Sequence, residues 1–374
     1  MSKAILFDVD GVFLDESRCF DVSALTIYEL LYDAKFLNLP STVHLEEITD
    51  DEIQLIRSSV FQDDSILNQL KSLGLNSNWD MLFIVFSIHL VSILRSLNDK
   101  DKEYFLSESN FDETTLKCLG EKVKECKIDY TLPFEFMNTV SKGKDAIYQD
   151  LKKYVAQNLN TTSVSLFEIQ SPLWQLCQEI YQEWYLGTQL YEEVEKKIAK
   201  SDYKKGYIYQ EKVLAPIDSI RQLLQKLIDR GYAIGIATGR PRTETIVPFE
   251  TLGLLPYFDL NHVITASEVL KAEQMYPSLR PLGKPNPFTY IAAYLGNHET
   301  LYQDFATEQT NRFEREDITI VGDSLADLIS AQKLGVQFIG TLTGLKGKKA
   351  AEELQNNGAT NLVDTVLDIE SYFI

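Results

Sequence analysis

The sequence predicts an α/β protein, a parallel sheet with helices on both faces, interrupted near its start by an all-helical insert. Three observations predict it. An apolar run, Ala4–Val9, lies close to the N-terminus; from Val213 onward short apolar runs alternate with helical patterns; between about Ser17 and Lys212 strand alternation is nearly absent. Strands that alternate with helices favour a parallel sheet buried on both faces. A length of 374 residues suits two domains at about 100–200 residues each.

In chain order, Ala4–Val9 reads as the first strand. The middle then offers helical patterns at Ser23–Phe36, Leu45–Ser58, Ser65–Leu73, Trp79–Leu97, Glu113–Glu125, Lys144–Gln157 and Pro172–Lys200. The last carries Trp174, Leu176, Cys177, Ile180, Tyr181, Trp184 and Tyr185 on one side, expected to be core. Trp79–Leu94 is apolar almost all round but interrupted by Asp80, Ser87, His89 and Ser92. A membrane-spanning helix needs about 20 apolar residues, so a buried core helix is expected, with His89 a satisfied core or boundary histidine and no ligand. Ser201–Gly206 reads as the linker back to the sheet. There, Ile217, Ile220, Leu224 and Leu227 recur at helical spacing, and Tyr232–Ala237, His262–Ile264, Asp317–Val321 and Val336–Gly340 read as strands. Helices are expected between and after them at Thr243–Leu252, Pro285–Leu295, Ala326–Leu334 and Lys348–Asn356. These readings put the α/β domain at 1–16 and 213–374 and the helical insert at 17–212.

Composition narrows the function classes. Lys and Arg total 36 against 55 Asp and Glu, a net charge of −19, which repels a phosphate backbone; no nucleic-acid partner is expected. Cys19, Cys118, Cys126 and Cys177 are widely spaced, without C-x-x-C, and neither they nor the four dispersed histidines make a zinc pattern. Reduced thiols and a cytoplasmic location are expected, with no secretory leader and no membrane partner.

The chemistry lies at predicted strand ends. Asp8 and Asp10 close the first strand before Gly11, and Asp323 and Asp327 follow the strand ending at Val321. Taken singly, D-x-D-G fits a turn and Asp327 a helix cap. If the first strand runs on through Asp10, its two carboxylates point to one side. Four carboxylates at neighbouring strand ends form a hard oxygen-donor set suited to Mg²⁺. Thr238 and Gly239 end the second strand, where a hydroxyl and turn amides suit an oxyanion. Lys284 precedes a helix, and by itself fits a solvated lysine, as Arg240 and Arg242 do.

In this order, Asp8-Val-Asp10-Gly11, Ala237-Thr238-Gly239-Arg240, Gly283-Lys284-Pro285 and Gly322-Asp323-Ser324-Leu-Ala-Asp327 resemble the four motifs of the haloacid dehalogenase-like hydrolase superfamily. The tail, Gly340–Gly344 and Gly358–Asp364, is similar to its phosphoglycolate-phosphatase-like members. The resemblance implies a Rossmann-like core with a helical cap inserted after the first strand, here larger than usual. It implies Asp8 as nucleophile, forming an aspartyl-phosphate, and Asp10 as general acid and base. Thr238, Gly239 and Lys284 would hold the phosphoryl group. Mg²⁺ would sit on the Asp8 carboxylate, the Asp10 backbone carbonyl and Asp323, with Asp327 supporting its shell. The second aspartate separates the chain from the dehalogenases. The implied function is a Mg²⁺-dependent phosphatase acting on a small phosphorylated metabolite. A phosphomutase with the same aspartyl-phosphate chemistry and a non-catalytic phosphometabolite-binding protein are the alternatives.

Overall fold

The computed structural model describes residues 3–75, 77–308 and 317–373. The chain divides into two compact units, Met1–Ser17 with Ile208–Ile374, and Arg18–Tyr207.

The first unit is built on a six-stranded parallel sheet. Its strands are β1 (Ala4–Phe7), β2 (Ala233–Ala237), β3 (Val263–Ile264), β4 (Ile318–Gly322), β5 (Gln337–Thr341) and β6 (Leu362–Val363). Their order is β3-β2-β1-β4-β5-β6, so β1 lies in the middle with β2 and β4 as neighbours. Successive side chains on a strand face opposite ways, and both faces of this sheet are covered. Ala4 and Leu6 of β1 join Ile318 and Ile320 in one core, against helices Phe288–Leu295 and Leu325–Leu334. Ile5 and Phe7 join Ile234, Ile236, Val321 and Ile339 in the other, with Ile220, Leu223, Leu224 and Leu227 of helix Ile217–Asp229. This explains why β1, flanked on both sides, reads as an uninterrupted apolar run.

Two differences from the sequence expectation involve strands. β1 stops at Phe7, two residues short of the expected end, although the Asp8 amide still donates to Val321 O at 2.9 Å. β6 is only two residues long and pairs at the edge with β5, too short to carry an alternation signal.

The second unit is helical among its described residues. Helix Asn78–Arg95 is buried on nearly every side and packs against Leu132–Met137, Lys144–Leu159 and Pro172–Leu186. Although long and apolar enough to cross a membrane, 78 % of it is buried inside the protein. Asp80 in its first turn accepts from Tyr148 Oη (2.8 Å), Trp174 Nε1 (3.0 Å) and Lys144 Nζ (2.5 Å). The expected helix Pro172–Lys200 is instead two, Pro172–Leu186 and Thr188–Glu195. They break at Gly187, whose φ of 81° and contact with the Lys205–Gly206 backbone leave no room for a side chain. Helices Asp99–Ser107, Leu132–Met137 and Ala266–Met275 were not expected from periodicity.

Ser201–Gly206, at the end of the helical unit, is anchored by a buried charge. Lys204 is fully buried, its ammonium 2.8 Å from Glu29 Oε2 and 3.1 Å from Glu183 Oε2. Trp184 Nε1 also donates to Glu29 at 2.6 Å. The segment thus ties the last helices of this unit to its first, Ser17–Tyr32. Removing the cation strands two buried carboxylates, a loss of about 3–5 kcal/mol for a broken buried pair. Lys204→Met is expected to lower stability by that order, read by urea denaturation at pH 7.

His89 is in the core as expected, but unsatisfied: neither ring nitrogen has a hydrogen-bond partner among the described residues. Tyr130 meets it edge to face at 5.4 Å. Burial lowers its pKa to about 4. An unfolded histidine binds its proton at about 6.5, so between pH 6.5 and 4 the unfolded chain holds more protons than the native one. This contribution therefore falls as pH drops through that window. His89→Leu is expected to lose about 2–3 kcal/mol less stability than the wild type between pH 7 and 4.5, by denaturant titration at both pH values.

Candidate functional site

The C-terminal ends of β1, β2 and β4 converge on one group of polar residues. Asp8 follows β1 directly and is nearly buried. Its Oδ1 accepts from the Val9 amide at 2.8 Å and lies 2.9 Å from Lys284 Nζ, two contacts that hold its rotamer. Beyond it the chain turns tightly: the Phe13 and Leu14 amides return to Val9 O at 2.9 and 3.1 Å, and Gly11 has φ of 71°. Thr341 and Thr343 hydroxyls both donate to Gly11 O, at 2.9 and 2.7 Å, and pin this turn to the end of β5.

Because β1 ends at Phe7, Asp8 and Asp10 do not share one direction. Asp8 meets Lys284, whereas the Asp10 carboxylate is taken by Arg240: Nε lies 2.9 and 3.0 Å from its two oxygens and Nη2 2.5 Å from Oδ1. Arg240 is only 6 % exposed, so its reading as a solvated arginine is corrected. Arg242 is partly buried and also engaged, by Glu268 Oε1 and Val263 O at 3.1 and 3.0 Å.

β4 delivers Gly322 and Asp323, and Ser324 caps helix Leu325–Leu334. Asp327 completes the capping box, its Oδ2 accepting from Ser324 Oγ at 2.6 Å. The cap reading is therefore right but incomplete. Asp327 Oδ1 also takes Lys284 Nζ at 2.8 Å and Tyr290 Oη at 2.7 Å. Lys284 thus bridges Asp8 and Asp327, its ammonium 5.1 Å from the Tyr290 ring centre. At the end of β2, Thr238 is buried and its Oγ1 accepts from the Arg240 amide at 3.2 Å. Gly239 is exposed, with open space where a Cβ would stand.

Oxygens of Asp8, Asp323 and Asp327 lie within 4.8 Å of one another; the Asp10 carboxylate is outside this cluster. Three like charges here face one ammonium, and the electrostatics register the imbalance. Burial pushes Asp8 up to about 7, with Asp327 and Asp10 adding to it against the opposing pull of Lys284. Burial, then Asp327 and Asp8, raises Asp323 well above the carboxylate range. Asp327 goes the other way: burial resists its charge, but Lys284 and the hydrogen bonds of Lys284, Ser324 and Tyr290 hold it low. Burial opposes the Lys284 charge as well, and Asp327 and Asp8 overcome it, raising the lysine.

Asp323 is the open member. No described protein donor is hydrogen-bonded to its carboxylate, and two glycines make room for it: a Cβ on Gly11 or on Gly344 would overlap it. A half-buried carboxylate beside two others, with no protein partner among the described residues and a glycine cradle, fits a hard divalent cation. Tyr290 was not found by sequence reasoning, and Thr341, Thr343 and Gly344 were noted only within the family-like tail, with no role at the site. Tyr290 is one more aromatic in an apolar helix, and only its hydroxyl partner distinguishes it. Lys346 and Lys348, just beyond β5, are exposed and pair with Glu353 and Asp364 at 2.7 and 3.3 Å.

The family model for haloacid dehalogenase-like hydrolases matches residues 132–341, which take in Thr238, Lys284, Asp323 and Asp327 but not Asp8 or Asp10. An X-ray structure from the Northeast Structural Genomics Consortium is 54 % identical over 99 % of this chain and 97 % of its own, with a TM-score of 0.92. A haloacid dehalogenase-like family protein from Streptococcus pneumoniae is 14 % identical, covering 100 % of this chain and 99 % of its own, at a TM-score of 0.38. A hydrolase from Pseudomonas syringae is also 14 % identical, over 99 % of this chain and 97 % of its own, again at 0.38. No curated protein matches.

Gly344 does not have a left-handed φ, so the backbone there accepts alanine. Gly344→Ala is expected to crowd Asp323 and weaken divalent-cation binding about tenfold or more, read by calorimetric titration with Mg²⁺.

Proposed function

The chain belongs to the haloacid dehalogenase-like hydrolases, and on that footing we propose that it is a Mg²⁺-dependent phosphatase acting on a small phosphorylated metabolite in the cytoplasm. The observation that carries the reading is the trio Asp8, Asp323 and Asp327, two of them buried and bridged by Lys284, and together short of positive charge. A phosphate dianion alone would worsen that imbalance; with a divalent cation it is accommodated. Asp8, Asp323 and the Asp10 carbonyl would hold Mg²⁺, with Asp327 behind them, and the ion would supply Lewis-acid charge to the phosphoryl oxygens.

The chain's own residues then divide the work. An Asp8 oxygen attacks phosphorus, the bond from phosphorus to the leaving oxygen breaks, and Asp10 gives that oxygen its proton. Water next attacks the phosphorus, loses a proton to Asp10, and the bond to Asp8 breaks, returning the electron pair to its carboxylate. Thr238 Oγ1 and the Gly239 amide donate to the phosphoryl oxygens, and Lys284 neutralises charge between Asp8 and the phosphate. Positioning and electrostatic stabilisation carry most of the catalysis in a reaction of this kind. The four free cysteines are in keeping with a reducing compartment.

Asp8→Asn is expected to lower p-nitrophenyl phosphate turnover at least about a thousandfold. Because Asp8 is pushed up to about 7, its charge is a burden to the metal-free fold at pH 8. The same variant should therefore melt no lower than the wild type in EDTA at that pH, which separates loss of chemistry from loss of fold. EDTA should abolish phosphate release by the wild type and Mg²⁺ restore it; activity indifferent to both would count against the reading.

A further inference from the structure

Arg240 adjoins the Thr238–Gly239 turn, where an arginine usually invites a role as a phosphate hand. Its surroundings argue otherwise. Nε and Nη2 are spent on Asp10, and Nη1 lies 2.7 Å from Glu211 Oε1 and 3.3 Å from Glu244 O. The Glu211 side chain is 1 % exposed and that of Arg240 6 %. All three nitrogens of this guanidinium are engaged by protein acceptors, and it has almost no accessible surface from which to reach a substrate. Its backbone is pinned too: the Arg240 amide donates to Thr238 Oγ1 at 3.2 Å, and Arg240 O accepts from the Ala266 amide at 2.9 Å.

Glu211 is equally fixed. It lies on the segment by which the chain re-enters the sheet unit, stitched to the turn after β1. The Asp15 amide donates to Lys212 O at 2.9 Å, the Leu214 amide to Phe13 O at 3.0 Å, and Leu14 bridges Val213. Residues 10, 211 and 240 are thus joined across three separate stretches of chain. Burying a glutamate is costly unless a cation answers it, and Arg240 is that cation. A planar guanidinium meeting two carboxylates also fixes orientation, which an ammonium does not. The Asp10 side chain is still 30 % exposed, so the held carboxylate faces accessible space.

We propose that Arg240, clamped by Glu211, is a positioning residue that fixes the Asp10 carboxylate in the orientation from which it passes its proton to the leaving oxygen. This rests on the phosphatase reading above. Arg240 touches neither phosphate nor the reacting atoms; it acts through Asp10 alone.

The test compares kcat/KM for p-nitrophenyl phosphate and phenyl phosphate, whose leaving groups differ in their need of a proton. Glu211→Gln and Arg240→Lys are expected to lower kcat/KM at least about fivefold more for phenyl than for p-nitrophenyl phosphate. An equal factor for the two esters, or no change, overturns the proposal. So does a raised KM at unchanged kcat, which would make Arg240 a phosphate ligand. Arg240→Met leaves Glu211 buried without its cation, so the double variant Arg240→Met/Glu211→Gln is carried beside it. A crystal structure of the double variant gives a readout free of activity. Asp10 is expected to leave its present orientation or split between two, and an unmoved single conformer overturns the proposal. If the wild type releases no phosphate from either ester, the phosphatase reading fails, and the crystal structure alone decides the role of Arg240.

Discussion

Mutual repulsion among Asp8, Asp323 and Asp327 is the constraint around which the sheet unit is arranged. Their oxygens gather within 4.8 Å in a largely buried place, where like charges are poorly screened. The protein answers with one ammonium, that of Lys284, shared between Asp8 and Asp327. It adds neutral donors to Asp327 from Ser324 and Tyr290, and none that is hydrogen-bonded to Asp323 among the described residues. The three carboxylates are therefore unequal by construction. Asp327 is saturated and low, Asp8 is half-answered and raised, and Asp323 is raised most plainly by burial and its two neighbours.

Placing these groups together depends on the parallel sheet. Three central strands end at the same edge, so residues 8, 238 and 323, far apart in sequence, become neighbours. Two apolar cores, one on each face, hold the strand ends in register. The turn after β1 is then locked from both sides, by Thr341 and Thr343 on Gly11 O and by Lys212 and Val213 beyond it. Polar contacts of this kind cost little where the backbone is already ordered, and they set the direction of Asp8 and Asp10 independently.

The helical unit shows the same logic of buried charge with a different outcome. Glu29, Glu183 and Lys204 are all fully buried and answer one another, with Trp184 donating to Glu29. Burial still raises Glu29 above its ordinary value, against the pull of Lys204. Here the carboxylates are satisfied within the protein, and the result is a cross-link between first and last helices. At the strand ends, by contrast, one carboxylate has no hydrogen-bonding protein partner among the described residues. That difference separates a self-satisfied structural triad from a carboxylate cluster short of positive charge.

The sequence by itself pointed to the α/β class and the helical insert, which are short-range signals of apolar runs and helical spacing. It singled out Asp8, Thr238, Lys284, Asp323 and Asp327 as candidates only through four motifs taken together in order, since each alone fits a turn, a cap or a solvated side chain. Tertiary structure alone decided what each side chain answers to. Nothing local distinguishes Arg240 from a solvated arginine, Tyr290 from a core aromatic, Lys204 from a linker lysine or Gly344 from a turn glycine. Arg240 meets Asp10 230 residues away and Glu211 29 away, Tyr290 Oη meets Asp327 37 away, Lys204 meets Glu29 175 away and Glu183 21 away, and Gly344 stands against Asp323. The end of β1 at Phe7, which turns Asp8 and Asp10 apart, is likewise a product of the chain's return through β5 and the 212–214 segment. Charge and periodicity are written along the chain, but the pairing of buried charges is a property of the space they share.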